Sequence, residues 1–378
     1  MGHTVSFDVL IVGGGIIGCV LADRLARSGV AVALVERDCI GGAATAASMG
    51  HLVVLDDDPA ELALSAWSCE RWRSERDDLP SNVDYRATGT LWIARDADEF
   101  ALAEAKCTRL GAANVASTLL DGAALHALEP ALRGDLAGAL RVTGDGVVYP
   151  PLAALHFARR AQAHGAQIVT GVAVDALQEG TVRLADGREL HAGAIVLATG
   201  CAAPDLLRCV PIRKRKGHLL ITTRSAPLIA HQLVELGYAK SALGNDVESV
   251  AFNVQPRPTG QLLIGSTRQF DDNSAEINPR LLERLLDRAR EFLPGLGDLQ
   301  ALRAWTGFRP TTPDHRPLIG AWPGKPGLWI ACGHEGLGVT TAPGTAELLA
   351  ALLGLAPLPF DPAPFSPARY APELPRAA

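Results

Sequence analysis

The beginning of the chain combines a short apolar run, a glycine-rich turn, a helical run and a second apolar run that ends in an acid. Residues 9–12 have the continuous apolar character of a strand buried on both faces. In the G-x-G-x-x-G spacing that follows, Gly13 permits a tight turn, Gly15 lets a pyrophosphate approach the backbone, and Gly18 lets the helix pack on the strand. Glu36 comes eighteen residues after Gly18, where an acid binds the ribose hydroxyls of an adenine dinucleotide. The order predicts a dinucleotide site rather than a glycine-rich turn without a ligand, and it leaves NAD and FAD both open.

The segment after this acid is rich in small residues and too long for a tight turn. Residues 43–50 read Ala-Ala-Thr-Ala-Ala-Ser-Met-Gly. Small residues let a backbone approach a ligand closely, and the hydroxyls of Thr45 and Ser48 can donate to phosphate or ring atoms. The segment therefore predicts a second cofactor contact, with a plain loop followed by a helix as the alternative.

Composition excludes several classes of protein. The chain has 378 residues, of which 48% are hydrophobic and 20% charged, as in a globular protein, and its net charge of −6 does not suggest a nucleic-acid partner. The seven cysteines form no C-x-x-C pair, so neither a metal site nor a disulfide framework is expected, and reduced cysteines favour a cytoplasmic location. No run of eighteen apolar residues predicts a membrane span, and the N-terminal segment lacks the features of a signal peptide.

Apolar runs later in the chain predict two sets of strands. Residues 194–200 read as an apolar strand that ends in Thr-Gly. If this strand enters the same sheet as residues 9–12, it brings the chain back beside the dinucleotide. A further apolar run at 328–331 precedes a glycine-rich turn at 333–338 and a helix near 345–353. The remaining predicted elements are helices at 59–76, 99–110, 151–164 and 279–293, a hairpin at 85–95, strands at 167–174 and 182–187, a short helix capped by Asp121, and strands of a second sheet at 210–223, 249–255 and 262–267.

This interleaving favours a flavoprotein, since an NAD dehydrogenase usually keeps its nucleotide domain in one block. The predicted fold class is α/β, with a Rossmann-like FAD-binding domain interleaved with an α+β substrate domain that carries an antiparallel sheet. The predicted ranges are 1–84, 144–209 and 301–360 for the FAD-binding domain, 85–143 and 210–300 for the substrate domain, and 361–378 for an irregular tail.

The chain resembles the family of FAD-dependent D-amino-acid and glycine/sarcosine oxidases and dehydrogenases over nearly its whole length. The segments that carry the resemblance are 12–18, Glu36, 43–50, 198–200, 255–265, 307–320 and 333–338. The variant Gly-His-Glu-Gly-Leu-Gly at 333–338 is similar to the flavin subunits of hetero-oligomeric dehydrogenases acting on D-hydroxyproline, proline or opines.

The resemblance assigns the substrate carboxylate to Arg309, whose planar fork matches a carboxylate. The alternative for Arg309 is a surface arginine in an ion pair, and Arg316 is expected to be structural. His51, beside the flavin loop, is predicted to hold a substrate hydroxyl or take a proton, with a satisfied polar core residue as the alternative. Arg268 and His218 are further pocket candidates.

Three positions depart from the pattern of related enzymes. Some relatives bind FAD covalently through a cysteine near the place where this chain has Gly307, so non-covalent FAD is predicted. Asn253 stands where glycine-oxidising relatives carry a tyrosine, and Gly336 aligns with their second arginine. Both departures argue for a substrate other than glycine, and Asn253 joins the predicted catalytic residues.

The resemblance implies oxidation of a C–N bond by hydride transfer to flavin N5, with D-hydroxyproline or D-proline as the expected substrate. Alternatives are a glycine/sarcosine-type or opine oxidase, another enzyme on the same scaffold, and a non-catalytic FAD subunit that relays electrons. Oxygen, a quinone and a partner subunit all remain open as electron acceptors, and a partner could associate the cytoplasmic protein with the inner membrane. The predicted cofactor-binding residues are Gly13, Gly15, Ile16, Ile17, Gly18, Glu36, Arg37, Ala44, Thr45, Ser48, Met49, Gly50, Val174, Thr199, Gly200, Gly333, His334, Glu335, Gly336, Leu337, Gly338, Val339 and Thr340.

Overall fold

A computed structural model describes residues 6–55, 58–237 and 248–373 of the chain. The strands are β1 (Ser6–Val12), β2 (Val32–Glu36), β3 (His51–Leu52), β4 (Thr90–Ala94), β5 (Ser117–Asp121), β6 (Gly138–Val142), β7 (Gly146–Val147), β8 (Gln167–Thr170), β9 (Val174–Gln178), β10 (Thr181–Leu184), β11 (Glu189–Leu197), β12 (Arg213–Thr222), β13 (Gln232–Glu235), β14 (Glu248–Pro256), β15 (Leu262–Gln269), β16 (Ala301–Thr311), β17 (Leu318–Ala321) and β18 (Leu328–Cys332). The helices are α1 (Ile16–Ala26), α2 (Ala43–Ala46), α3 (Pro59–Glu75), α4 (Ala97–Ala112), α5 (Gly122–Leu128), α6 (Pro150–Ala163), α7 (Ala203–Leu206), α8 (Pro279–Phe292) and α9 (Gly338–Leu352).

The first sheet contains the predicted dinucleotide strands. Its order is β17-β18-β11-β1-β2-β8, with β10 and β9 continuing from β11. The pairs of β1 with β2 and with β11, and of β11 with β18, are parallel, and Val9 lies opposite Ala194. The prediction that residues 194–200 enter the sheet beside residues 9–12 is therefore confirmed. Apolar residues of α1, α6 and α9 form one core with the inner face of this sheet.

The second sheet has the order β16-β12-β15-β14-β13-β4-β6-β5. All of its pairs are antiparallel except that of β4 with β13, so the predicted antiparallel sheet is largely confirmed. Helix α8 covers one face through Leu285, Ala289 and Phe292, and Phe292 stacks on Phe252 of β14 with ring centroids 4.3 Å apart. This apolar stripe was visible in the sequence because it repeats at helical spacing.

The predicted hairpin at 85–95 is wrong. Only Thr90–Ala94 forms a strand of the second sheet, whereas Arg86 bridges to Val147 beside the short β3–β7 pair. Gly89 separates the two segments with a φ of +68°, and its N–H donates to Asp145 O at 3.0 Å. Alternating apolar residues indicate strands, but they do not identify the strand's partner.

The last helix starts earlier than predicted. It begins at Gly338 rather than near residue 345, and it contains Pro343. A proline lacks the N–H that would bind the carbonyl four residues before it, here that of Val339. The indole N–H of Trp72 on α3 donates to Val339 O at 3.1 Å and also lies 3.1 Å from Thr340 O. This tertiary contact explains why the proline does not end the helix.

The division into domains stays a prediction, and the sheets depart from it at one place. Residues 301–311 were assigned to the FAD-binding domain, yet β16 pairs with β12 in the second sheet. In the predicted tail, residues 363–365 and 367–373 form 3₁₀ turns, and Phe365 is fully buried. The tail is therefore anchored to the core through Phe365; residues 374–378 lie outside the described part.

Among residues 6–55, 58–237 and 248–373, no helix combines the length and the apolar character needed to cross a membrane. The same part of the chain contains no cluster of three or more His, Cys, Asp or Glu residues suited to a metal ion.

Candidate active site

The glycine turn lies between the carboxyl end of β1 and the N-terminus of α1. A Cβ on Gly13 would lie 2.5 Å from Ala198 O, and one on Gly18 would lie 2.0 Å from Gly13 O. Close backbone packing therefore requires glycine at both positions, as the sequence predicted. Glu36 ends β2 beside this turn, where its Oε2 accepts a hydrogen bond from the Gly14 N–H at 2.6 Å.

Gly15 differs from Gly13 and Gly18 because no backbone atom lies close enough to require glycine at this position. The nearest atom to a Cβ at this position would be Thr45 Oγ1 at 3.3 Å. Gly15 begins α1 without a side-chain cap of its own, although Thr45 Oγ1 accepts from the Ile16 N–H. The positive dipole end of α1 at a glycine turn fits the pyrophosphate of a dinucleotide.

The small-residue segment forms the short helix α2 and packs against the same turn. Thr45 Oγ1 accepts a hydrogen bond from the Ile16 N–H at 3.1 Å, and Ser48 Oγ donates to Thr45 O at 2.8 Å. The Thr45 hydroxyl thus ties this segment to the start of α1. Met49 extends the contact to the second sheet, where it packs with Leu219 and Leu263.

Arg309 lies on the face of the second sheet that is turned toward this segment. In the register of β12 with β16, Arg309 pairs with Arg215, and Gly307 pairs with Gly217. A Cβ on Gly307 would meet Ala47 Cβ at 2.4 Å, so this face contacts the 43–50 segment directly. The Arg309 guanidinium crosses Gly217 and donates from Nη1 to Thr267 O at 3.0 Å.

The structure brings His51 and Asn253 together. His51 Nε2 lies 3.0 Å from Asn253 Oδ1, although the two residues are 202 positions apart. Burial, with a contribution from the charge of Arg309, lowers the pKa of His51 to about 4, while the hydrogen bond to Asn253 opposes this shift. His51 is therefore neutral near pH 7 and shares the site with Arg309.

The two remaining pocket candidates lie on β15 and β12. Arg268 is buried within β15, directly after Thr267, and strand alternation places its side chain on the face opposite to the Thr267 hydroxyl. The His218 ring contacts Thr267 Oγ1 through Nδ1 at 2.8 Å and accepts from the Asn278 N–H through Nε2 at 3.0 Å. His218 thus acts as a structural contact between β15 and the start of α8, whereas the pocket role of Arg268 stays a prediction.

The last glycine turn connects β18 to α9, and several of its side chains have partners within the protein. His334 Nε2 lies 2.9 Å from Thr345 Oγ1, and burial lowers the pKa of His334 to about 3. The Thr340 hydroxyl donates to His51 O at 2.8 Å. Glu335 binds Arg215 at 2.6 Å and His315 at 2.8 Å. These contacts engage the side chains of three predicted cofactor residues, and the Glu335 N–H donates to Pro310 O at 2.9 Å. The contacts of these three residues with a cofactor therefore stay predictions.

Other predicted cofactor residues lie around the same edge of the first sheet. Thr199 and Gly200 follow β11, and the Thr199 N would lie 3.2 Å from a Cβ on Gly13. Arg37 is exposed and pairs with Asp38 at 3.0 Å, while Val174 begins β9. Their contacts to a cofactor remain predictions.

The sequence did not identify several residues that shape this site. Gly217 leaves room for the Arg309 guanidinium, Thr267 supplies the carbonyl that orients it, and Arg215 and His315 hold Glu335. The sequence signal for the space around Arg309 was the presence of a glycine at both 217 and 307. That these two glycines pair could be known only from the register of β12 with β16.

The Rossmann-type first sheet, the glycine turn beside Glu36 and the 43–50 segment packed against that turn together indicate a dinucleotide-binding protein. The family model described as "FAD dependent oxidoreductase" matches residues 8–352. The chain belongs to this family.

Individual relatives agree with this assignment. The chain is 30% identical to the Bifunctional protein ThiO/ThiG of a Nostoc species over 362 residues, which is 92% of this chain and 52% of that protein. It therefore spans about half the length of that relative. The crystal structure of glycine oxidase from Geobacillus kaustophilus matches with a TM-score of 0.87 and 25% identity, over 97% of this chain and 99% of the other. The L-proline dehydrogenase from P. horikoshii shares the fold with a TM-score of 0.89 and 22% identity, over 99% of this chain and 100% of the other.

Proposed function

We propose that this chain oxidises the C–N bond of a small amino or imino acid, with D-hydroxyproline or D-proline as the preferred substrate. The observation that carries the proposal is the grouping of Arg309 with the neutral His51–Asn253 pair on the sheet face turned toward the 43–50 segment. The charged guanidinium of Arg309 suits a substrate carboxylate, and the neutral His51–Asn253 pair suits a second polar group of the same substrate.

Arg309 binds the substrate carboxylate in this proposal. A guanidinium stays charged in a dry pocket and matches both carboxylate oxygens with parallel N–H donors. The contact from Nη1 to Thr267 O and the close packing across Gly217 restrict the rotamers of the side chain. A fixed fork orients the substrate and lowers the entropic part of the barrier.

His51 offers the substrate an acceptor. In the structure the Asn253 amide presents its oxygen to His51 Nε2. Because a carboxamide oxygen can only accept a hydrogen bond, the hydrogen of the neutral ring is on Nε2. Because the ring is neutral, its Nδ1 keeps a lone pair. That atom suits a substrate hydroxyl or the N–H of a secondary amine, which supports a hydroxyproline or proline substrate.

Two residues argue against the glycine-oxidase pattern. Asn253 replaces the tyrosine expected from the resemblance, and Gly336 replaces the second arginine. A Cβ on Gly336 would lie 3.7 Å from Arg309 Nε, so the glycine leaves space beside the guanidinium. A glycine/sarcosine-type or opine oxidase, or an electron-relay subunit, remains the alternative function.

FAD fits the residues at the first sheet and is proposed to bind non-covalently. Gly15 and the start of α1 would hold its pyrophosphate, Glu36 its ribose, and the 43–50 segment and the last glycine turn its ring system. When bound, FAD supplies the acceptor for the electrons removed from the substrate. The protein's own residues orient the substrate and keep water from the site. A partner subunit or a quinone as acceptor, and a cytoplasmic location, belong to the same proposal.

Anaerobic visible spectroscopy of the purified protein tests the function. We expect D-hydroxyproline and D-proline to bleach the flavin bands, glycine and sarcosine to do so weakly, and acid precipitation to release FAD into solution. Arg309→Met should retain the yellow colour and require at least about tenfold more substrate for bleaching, because a buried charged contact is lost. Bleaching by an opine or a linear D-amino acid alone would make the proposed substrate wrong, and a colourless protein that does not take up FAD would contradict the function.

A further inference from the structure

A partly buried ion-pair cluster connects the last glycine turn to the second sheet. Arg215, on β12, is fully buried, and its Nη1 donates to Glu335 Oε1 at 2.6 Å. The other carboxylate oxygen of Glu335 lies 2.8 Å from His315 Nδ1. The Glu335 carboxylate thus bridges β12 and the loop at 312–316. A carboxylate bound on both sides restricts the turn that carries it more than either contact alone.

The cluster lies directly beside Arg309. The Glu335 N–H donates to Pro310 O at 2.9 Å, and His334 bridges to Thr311. Both residues that follow Arg309 on β16 therefore pair with the turn. A displacement of the turn would move Gly336, whose Cα faces the Arg309 guanidinium.

The backbone of the cluster is held in a conformation that its residues rarely adopt. Glu335 has a φ of +46° and His315 a φ of +60°. For residues other than glycine this left-handed region is unfavourable, and it persists only when surrounding contacts impose it. The side-chain contacts of Glu335 add to the backbone bonds between the turn and β16 in opposing relaxation of the turn.

We propose that Glu335 is a positioning residue whose carboxylate, held by Arg215 and His315, fixes the last glycine turn against Arg309 and so sets the affinity of the site for a carboxylate. This inference rests on the proposed role of Arg309 in binding the substrate carboxylate. No contact between Glu335 and the substrate is required.

The charge of His315 makes this role pH-dependent. The hydrogen bond to Glu335 raises the pKa of His315, while Arg215 opposes the shift and Glu61 of α3 adds to it. Burial by itself raises the pKa of Glu335, but His315 and Arg215 hold it below its usual value. Nearby Asp314 and Arg316 pair with Arg369 and Asp58, and His334 is neutral in this pH range.

The sign of the pH effect follows from the raised pKa. The imidazolium–carboxylate pair is complete below the unfolded pKa of a histidine, and it is lost as the pH rises through the raised pKa of His315. Above that pH, His315 offers only a neutral hydrogen bond, and Arg215 is the remaining charged partner of the carboxylate. The affinity of Arg309 for a carboxylate should therefore weaken at higher pH.

The test measures binding of pyrrole-2-carboxylate to the FAD-loaded protein through the change in flavin absorbance from pH 6 to 9. The probe stays ionised over this range, so its own titration does not contribute. In the parent protein the Kd should rise roughly fivefold across the range, a typical size for coupling between two sites. Glu335→Gln should bind the probe roughly fivefold more weakly at pH 6 and show no pH step.

Two further variants keep the result interpretable. His315→Asn preserves the left-handed backbone, because asparagine tolerates it, but the side chain cannot ionise. We expect His315→Asn to show a flat profile at the parent's high-pH affinity. Asp314→Asn is the matched control: it breaks the ion pair of the same loop with Arg369 and should keep the parental profile.

The outcomes separate the inference from the proposed function. If Glu335→Gln and His315→Asn keep the parental Kd and pH step while Arg309→Met loses the probe, the positioning role is wrong and the function stands. If Arg309→Met binds the probe as the parent does, the proposed role of Arg309 fails, and the inference fails with it. If Asp314→Asn behaves like Glu335→Gln, the effect is general loosening of the loop and the inference is overturned.

Discussion

Gly217 shows how one missing side chain can define a binding residue. A Cβ at this position would lie 2.3 Å from Arg309 Nη1 and 2.9 Å from Thr267 O. The guanidinium is the end of a flexible side chain and can move, whereas the strand backbone cannot. A substitution at Gly217 should therefore change the position of Arg309 more than the stability of the fold.

We predict that Gly217→Ala lowers kcat/KM by about 10- to 100-fold, mainly through a higher KM, because the carboxylate contact is misaligned. Steady-state kinetics and thermal unfolding of the FAD-loaded protein measure the two effects separately. Gly111→Ala is the matched control, since a Cβ at this helical position meets no atom within 4 Å. Equal kcat/KM for Gly217→Ala and the parent would contradict the assigned position of Arg309.

The chemistry of the site was predictable at the residue scale where it depends on side-chain type. The resemblance singled out Arg309, His51 and Asn253, the chemistry of their side chains agrees with the proposed roles, and the structure brings His51 and Asn253 together. The Thr267 carbonyl could not be identified, because every residue carries the same acceptor. Glu335 was predicted to contact the cofactor, yet its carboxylate binds Arg215 and His315, which only the register of β12 and β16 brings near.

At the scale of elements, α9 depends on α3 for its continuity. Pro343 removes the intrahelical donor to Val339 O, and Trp72 Nε1 replaces it. Gly344 continues the contact, because a Cβ there would lie 2.5 Å from Ser68 Oγ, which accepts from the Gly344 N–H at 3.1 Å. The glycine turn at the start of α9 is thus supported from the opposite side by α3.

We predict that Trp72→Phe lowers the free energy of unfolding by about 2 kcal/mol, since a buried carbonyl loses its donor and the core loses part of an aromatic ring. Denaturant unfolding of the FAD-loaded protein measures the change. Trp67→Phe on the same helix is the control, because Trp67 has an edge contact with Phe360 and is only partly buried. Similar losses for both variants would contradict the special role of the indole N–H.

Most element positions were predictable because their patterns are local. The predicted range 279–293 differs by one residue at its end from α8, and Asp121 caps α5 by accepting from the Ala124 N–H at 2.8 Å. Two predictions were wrong for a different reason: the hairpin at 85–95, and the start of the last helix near residue 345 instead of Gly338. Both depend on partners distant in sequence, namely Val147 for Arg86 and Trp72 for the helix with Pro343.

At the scale of the whole molecule, the interleaved chain joins the two sheets at the site. The first sheet takes strands from the start, middle and end of the chain, and β16 of the second sheet leads through the 312–316 loop to β17 and β18 of the first. Arg309 therefore lies on a strand of one sheet, while the turn that faces it belongs to the other. The order of apolar runs predicted this interleaving, but the sheet that β16 joins could not be read from a single strand.

Burial favours the neutral form of four histidines in the described residues by lowering the pKa of each, and the shift is large for His51, His218 and His334. Burial is the main cause that lowers the pKa of His51 and His218 to about 4 and that of His334 to about 3, from 6.5 in an unfolded chain. A base whose folded pKa is depressed has no effect on stability above the unfolded value. Stability is lost as the pH falls below 6.5 toward the folded pKa, because the unfolded chain binds the proton more tightly.

We predict that His334→Gln reduces the acid sensitivity of the protein. Glutamine can keep a hydrogen bond to Thr345 but cannot be protonated in this pH range. When the pH falls from 7 to 4, the free energy of unfolding should therefore decrease in both proteins, but the decrease should be smaller in the variant by on the order of 2 kcal/mol. Urea unfolding at both pH values measures the difference. His126→Gln, at an exposed position of α5, is the control and should match the parent. If His334→Gln loses as much stability in acid as the parent, the neutral His334 does not contribute to the acid response, and the remaining loss belongs to the other buried groups.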